Sequence, residues 1–243
     1  MRALLAVALC VVLAACAAPT SYPPAAPSTG KRPPPAEQNF RASDFARSDI
    51  DLVAEVNTKE CLASTRLLME KLYRRNPREW RKGGFAGMDA AVARAFDPHY
   101  EFRFAELGQA RGVDAILLAL KPEYAGDRVF AFGVGLASMV LLSYNGKTEF
   151  YLTDSLDAQK LYNSARNIEI AAWKLEHDLD ISGKPYIYSV SLADEPENLS
   201  YERLFGKIIA LQDTMAIIIA DRSNRTIRKV IQRMATAVFL PIF

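Results

Sequence analysis

The sequence predicts a mainly α protein, with a single helical, bundle-like domain of six to eight helices over 40–243. Three observations lead there. Apolar residues recur three and four apart through several long stretches, which is the spacing of one helix face. The stretches are cut by Asn76-Pro77, Gly83-Gly84, Asp97-Pro98 and Pro122, residues that stop helices. The longest charge-free run, 129–144, suits a buried helix.

The first helix is expected from Asp49 to Tyr73. Ile50, Ala54, Cys61, Thr65, Leu68 and Leu72 supply its inward face, and Asn76-Pro77 ends it. Pro77 then fits the first turn of a short helix. Asp89 reads as the N-cap of "AAVARAF", and 112–120 as another short apolar helix. Run 129–144 follows, with Gly133, Gly135, Ala137 and Ser138 small enough to let another helix approach closely. Asn145-Gly146 would cap its C-terminal end. The alternative is a minor β-hairpin near 140–152, because Asn-Gly between apolar runs is also a turn signal. A membrane-inserted segment is the third reading of this run.

The clearest helix lies between Asp154 and Asp178, capped by Asp154 or Ser155. Leu161, Ala165, Ile168, Ala172 and Leu175 form its core stripe, with Tyr162 and Trp173 at the edge. Gln159, Asn163, Arg166, Ile170 and Lys174 form a mostly polar face. "PYIYSVS" reads as an extended connection. A long helical region is expected from Ser200 to about residue 240, broken near Ser223-Asn224. Its second half gathers Arg222, Arg225, Arg228, Lys229 and Arg233 opposite Ile227, Val230, Ile231, Met234 and Val238. Such a basic amphipathic helix can rest on anionic lipid, or it can simply be solvated.

The first forty residues stand apart. Ala3 to Ala15 are uncharged and mostly apolar. As a helix they would reach only about 20 Å, short of the roughly 30 Å of a bilayer core. One basic residue, a short apolar run and small residues at its end describe a secretory signal peptide over 1–15. Leu13-Ala14-Ala15-Cys16 resembles the lipobox of bacterial lipoprotein precursors. The resemblance implies cleavage between Ala15 and Cys16 and acyl chains on Cys16. It also implies outer-membrane sorting on the periplasmic side, because Ala17 rather than Asp follows the cysteine. Two or three acyl chains would hold the protein permanently. Residues 16–39 then form a lipidated start and a Pro-rich tether that cannot bury enough surface to order itself.

Formal net charge is +2, and losing Arg2 with the signal brings it nearer zero. Bulk charge therefore argues neither for nor against nucleic acid, and it is the compartment the resemblance implies that leaves no nucleic-acid partner expected. Cys10 would be discarded and Cys16 acylated, which leaves Cys61 as a small buried residue without a disulfide partner. The chain has no G-x-S-x-G elbow, P-loop or C-x-x-C, and Ser138 stands where a dinucleotide loop needs its third glycine. His99 in "DPHYE" and His177 in "EHDLD" sit beside carboxylates and are the weak catalytic candidates. Neither matches a metal motif, and no metal or cofactor is expected. "RRNPREWRK" clusters Arg74, Arg75, Arg78, Arg81 and Lys82 around Trp80.

The functional expectation is an outer-membrane-anchored lipoprotein, acting as a non-enzymatic scaffold, accessory or assembly factor. Its partners would be the membrane, through Cys16, and an envelope protein. The rivals are a periplasm-facing enzyme using a His/carboxylate site and a lipid-contacting envelope protein.

Overall fold

The computed structural model describes residues 48–189, 199–230 and 232–242. The signal peptide, Ala15, Cys16, the tether and the side chain of Ile231 lie outside them. The described part contains seven α-helices: α1 (Asp49–Arg75), α2 (Glu79–Lys82), α3 (Met88–Ala95), α4 (Val113–Leu120), α5 (Arg128–Ser143), α6 (Ala158–His177) and α7 (Ser200–Ser223). Three short 3-10 turns, at Pro98–Tyr100, Ala105–Leu107 and Met234–Thr236, complete it. Among the described residues there is no strand. A single bridge, Leu179 to Pro185, closes one turn.

Local chemistry explains most boundaries. Ser48 and Asp51 form a capping box at the start of α1. Asp51 N–H donates to Ser48 Oγ (3.3 Å) and Ser48 N–H donates to Asp51 Oδ2 (2.7 Å). The helix ends at Asn76, whose own N–H closes on Leu72 O. Asp89 is not an N-cap: α3 starts one residue earlier, and Asp89 lies in its first turn, where the helix dipole favours an acid. The cap of α6 is Asp157, not Asp154 or Ser155. Its carboxylate accepts Gln159 N–H at 2.8 Å, while Asp154 is engaged by Lys147 and Tyr151 N–H. Asn224 ends α7 in the left-handed region, at φ 50°.

Helix α5 is the interior element, with almost every side chain buried. It packs against α1 and α4 on its broad faces and touches α2, α3 and α6, while α7 packs against α1 and α6. The β-hairpin does not form. Asn145 and Gly146 instead take positive φ values of 57° and 76°, and Gly146 N–H closes on Leu141 O at 2.8 Å, so the Asn-Gly pair caps α5. Residues 147–152 run on as turns against α1, with Phe150 N–H donating to Glu55 at 3.1 Å. The membrane-inserted reading of 129–144 also falls, because this helix lies inside the protein. Among the described residues no helix is long and apolar enough to cross a membrane.

The small residues of α5 do what their size suggests. A Cβ at Gly133 would meet Met69, and one at Gly135 would meet Ile116 and the backbone of Gly112. Ser138 accepts Gly112 N–H at 2.7 Å, locking the start of α4 onto α5.

The largest departure from expectation is the C-terminal segment. Past Asn224 no described residue is α-helical, and apart from the 3-10 turn Met234–Thr236 the chain runs as an irregular strap along α6. The polar face of α6 holds it there through backbone groups. Gln159 exchanges two hydrogen bonds with Arg228, Asn163 donates to Pro241 O (2.7 Å), and Asn167 exchanges two with Leu240 (2.6 and 2.8 Å). These amides, four residues apart, imitate a strand edge. They satisfy a backbone that a helix would have satisfied internally.

Candidate functional site

The residues expected to carry chemistry are not brought together with one another. His99 is exposed on the turn Pro98–Tyr100, where Asp97 accepts its backbone N–H (2.9 Å) and its ring meets Tyr100 edge-on. His177 is exposed in the last turn of α6. Its ring stacks on Trp173 at 4.3 Å, with Nδ1 against Trp173 O at 2.8 Å. Among the described residues no group of three His, Cys, Asp or Glu side chains could hold a metal ion. Cys61 is buried, and burial pushes its thiol up to about 12, which makes it unreactive. Of the C-terminal basic cluster, Arg222 lies in the last turn of α7, and Arg225, Arg228, Lys229 and Arg233 lie on the strap. The strap has no helix face, so the lipid-resting helix does not exist.

The first basic cluster is different. A cleft of about 650 Å³ opens where α1 ends. Arg75, Arg78 and Lys82 line it from the α1–α2 corner, Arg128 from the start of α5, and Lys184 from the turn after α6. The rest of the wall is Pro77, Pro122 and Pro185 with Tyr186 and Tyr188. Trp80 is not part of it. That ring packs against the core, with the Arg81 guanidinium over it at 4.7 Å.

Asn76 builds this cleft. It is only 8% exposed, and its side-chain amide bonds three backbone groups. Nδ2 donates to Leu72 O and Tyr188 O (2.8 Å each), while Oδ1 accepts Tyr188 N–H at 2.9 Å. One amide thus ends α1 and clamps a segment 112 residues further along the chain. Arg128 fixes the opposite wall. Its guanidinium donates to the carbonyls of Ala119, Lys121 and Pro122, gathering the open C-terminal end of α4, and lies 4.7 Å over the Tyr186 ring.

Two carboxylates also line the cleft, and both are occupied internally. Glu79 accepts Lys82 Nζ at 2.6 Å and Arg128 N–H at 2.8 Å. Asp180 Oδ1 accepts the N–H groups of Ser182 (2.8 Å) and Lys184 (3.0 Å) and the Ser182 hydroxyl (2.7 Å), which holds its pKa below the ordinary carboxylate value. Five cations against two such acids leave an excess of three positive charges.

Behind Glu79 lies a buried acid, Asp127, that no sequence motif singles out. Asp127 caps α5 by accepting Phe130 N–H (2.8 Å) and also accepts the Tyr73 hydroxyl (2.8 Å). Burial, with the Glu79 charge nearby, lifts its carboxyl to about 6 despite these bonds. Asp127 lines a second hollow of about 440 Å³, shared with Arg94, Tyr124 and Phe130.

No known family matches the chain, and neither a curated protein nor a solved structure is similar to it.

Proposed function

We propose that this protein is a lipid-anchored accessory or scaffold protein of the bacterial envelope, tethered through Cys16 to the periplasmic side of the outer membrane. It works by binding rather than by catalysis. The lipobox resemblance at Leu13-Ala14-Ala15-Cys16 and the Pro-rich composition of 16–39 support the anchoring. The observation that carries the binding is the cleft, where cations from three separate chain segments converge on one opening. An anionic group on another envelope component fits that charge.

Cys16→Ala should abolish acyl-chain labelling and release the protein from the membrane fraction. Continued attachment would refute the anchor. For the binding, a photo-crosslinking residue replacing Arg78 in the full chain should give a discrete adduct in intact cells. The same residue at exposed Ile217, on α7, serves as control. Identical adduct patterns from both positions would refute the cleft as the recognition site.

A further inference from the structure

We infer that the cleft takes a phosphorylated sugar, as a lipid head group or as a free compound, an inference that rests on the binding function proposed above. Three features of the cleft specify this chemistry. The first is charge. Lys82 is tied to Glu79, but the exposed side chain of Arg78 has no carboxylate partner among the described residues, and exposed Lys184 forms no salt bridge there, with only the Asp180 charge nearby. They stand on different walls. A phosphate offers three equivalent oxygens and can be met from more than one direction, which a planar carboxylate edge does less well.

The second feature is size. About 650 Å³ is the space of a small-molecule site, well beyond what inorganic phosphate fills. The phosphate is therefore one end of something larger. The third is the remaining wall. Pyrrolidine rings and tyrosines present apolar faces beside hydroxyl groups that donate and accept, which matches the C–H faces and hydroxyls of a saccharide ring. A wide planar base needs a clear stacking platform, and Arg128 already covers one face of Tyr186. Glu79 is engaged within the protein and Asp180 Oδ1 is held by its own turn, so the cleft keeps its positive excess after both acids are counted.

The test is isothermal titration of the full acylated chain in detergent, with five probes. These are glucose 1-phosphate, glucose, inorganic phosphate, AMP, and a diphosphorylated glucosamine-disaccharide lipid carried in micelles of the same detergent, with lipid-free micelles as the blank. Glucose 1-phosphate or the glycolipid should bind at least about tenfold tighter than glucose, phosphate or AMP. Arg78→Ala and Lys184→Ala should each weaken that binding about tenfold with the circular dichroism unchanged. Binding to the glycolipid micelles alone would identify the lipid head group as the source, and binding to both the micelles and glucose 1-phosphate would identify the sugar phosphate itself. AMP or inorganic phosphate binding as tightly as the sugar phosphate would overturn the saccharide assignment and leave the binding function standing. No binding by any anionic probe, together with no specific Arg78-site adduct in cells, would overturn both. A specific adduct without sugar-phosphate binding would overturn this inference only.

Discussion

Gly135→Ala is the sharpest test of how this fold is held together. A methyl group at that position would lie 2.7 Å from Ile116 Cγ1, 2.8 Å from Ile116 N and 2.9 Å from Gly112 O. Two of those atoms are backbone, so no rotamer change relieves the contact. Helix α4 has to back away from α5 by roughly half an ångström to restore ordinary van der Waals separation. Overpacking of this kind costs about 1–3 kcal/mol. The same movement stretches the Gly112 N–H to Ser138 hydrogen bond, now 2.7 Å, and losing it adds about 1 kcal/mol. Alanine's better helix propensity returns about 1 kcal/mol. The net expectation is a loss of about 1–3 kcal/mol, or a melting temperature lower by about 2–12 °C for a domain of this size. Gly133→Ala is the control. Its methyl would press on Met69 Sδ and Cγ, the far end of a flexible side chain that can swing aside, so its stability should change by less than about 1 kcal/mol. Urea unfolding of the full chain, followed by circular dichroism, reads both. A Gly135→Ala protein as stable as the Gly133→Ala protein would refute the close α4–α5 contact.

Two other changes probe different parts of the structure. Asp127 has a raised folded pKa, about 6 against 3.8, so its contribution to stability is full below about pH 4 and is lost as pH rises through 6. Going from pH 7 to pH 5 should therefore stabilise the wild type by about 1 kcal/mol more than Asp127→Asn, which keeps the cap but cannot titrate. Equal pH dependence of the two urea midpoints would show that Asp127 does not carry this linkage. Asn167→Ala leaves both Leu240 backbone groups without their partner. It should lower amide-exchange protection across the strap while global stability falls by no more than about 2 kcal/mol. Unchanged exchange at Leu240 would mean the amides do not hold the strap.

The long helices could be read from the sequence because their spacing and punctuation agree. In α1, Ala54, Cys61, Thr65, Leu68 and Leu72 are all buried, and in α6 Leu161, Ala165, Ile168 and Leu175 are too. The strap was misread for a physical reason. Ile227, Val230, Met234 and Val238 keep helical spacing, but what decides their conformation is the row of amides on α6, some seventy residues away in sequence. Local pattern cannot reveal a distant partner for the backbone. The cleft was half legible. Residues 74–82 stood out as a basic cluster, whereas Arg128, Lys184 and the two tyrosines join it only through tertiary folding. Asn76 looked like a helix stop, and nothing local indicates that its side chain also grips Tyr188. The histidines stood out because imidazoles beside acids suggest chemistry, but each is engaged mainly with its own turn.

Because Asn76 clamps Tyr188 across 112 residues, the cleft exists only while both ends of that long loop are closed. Contacts of such sequence separation are costly to form and open readily when the closing bond is lost. A molecule seated between Arg78 and Lys184 would act as a removable staple across the same closure. It would resist unfolding by an amount that grows with the logarithm of its concentration. Occupancy of the cleft would then be readable as heat resistance of the whole body, so a melting curve taken across a panel of candidate compounds doubles as a search for the ligand.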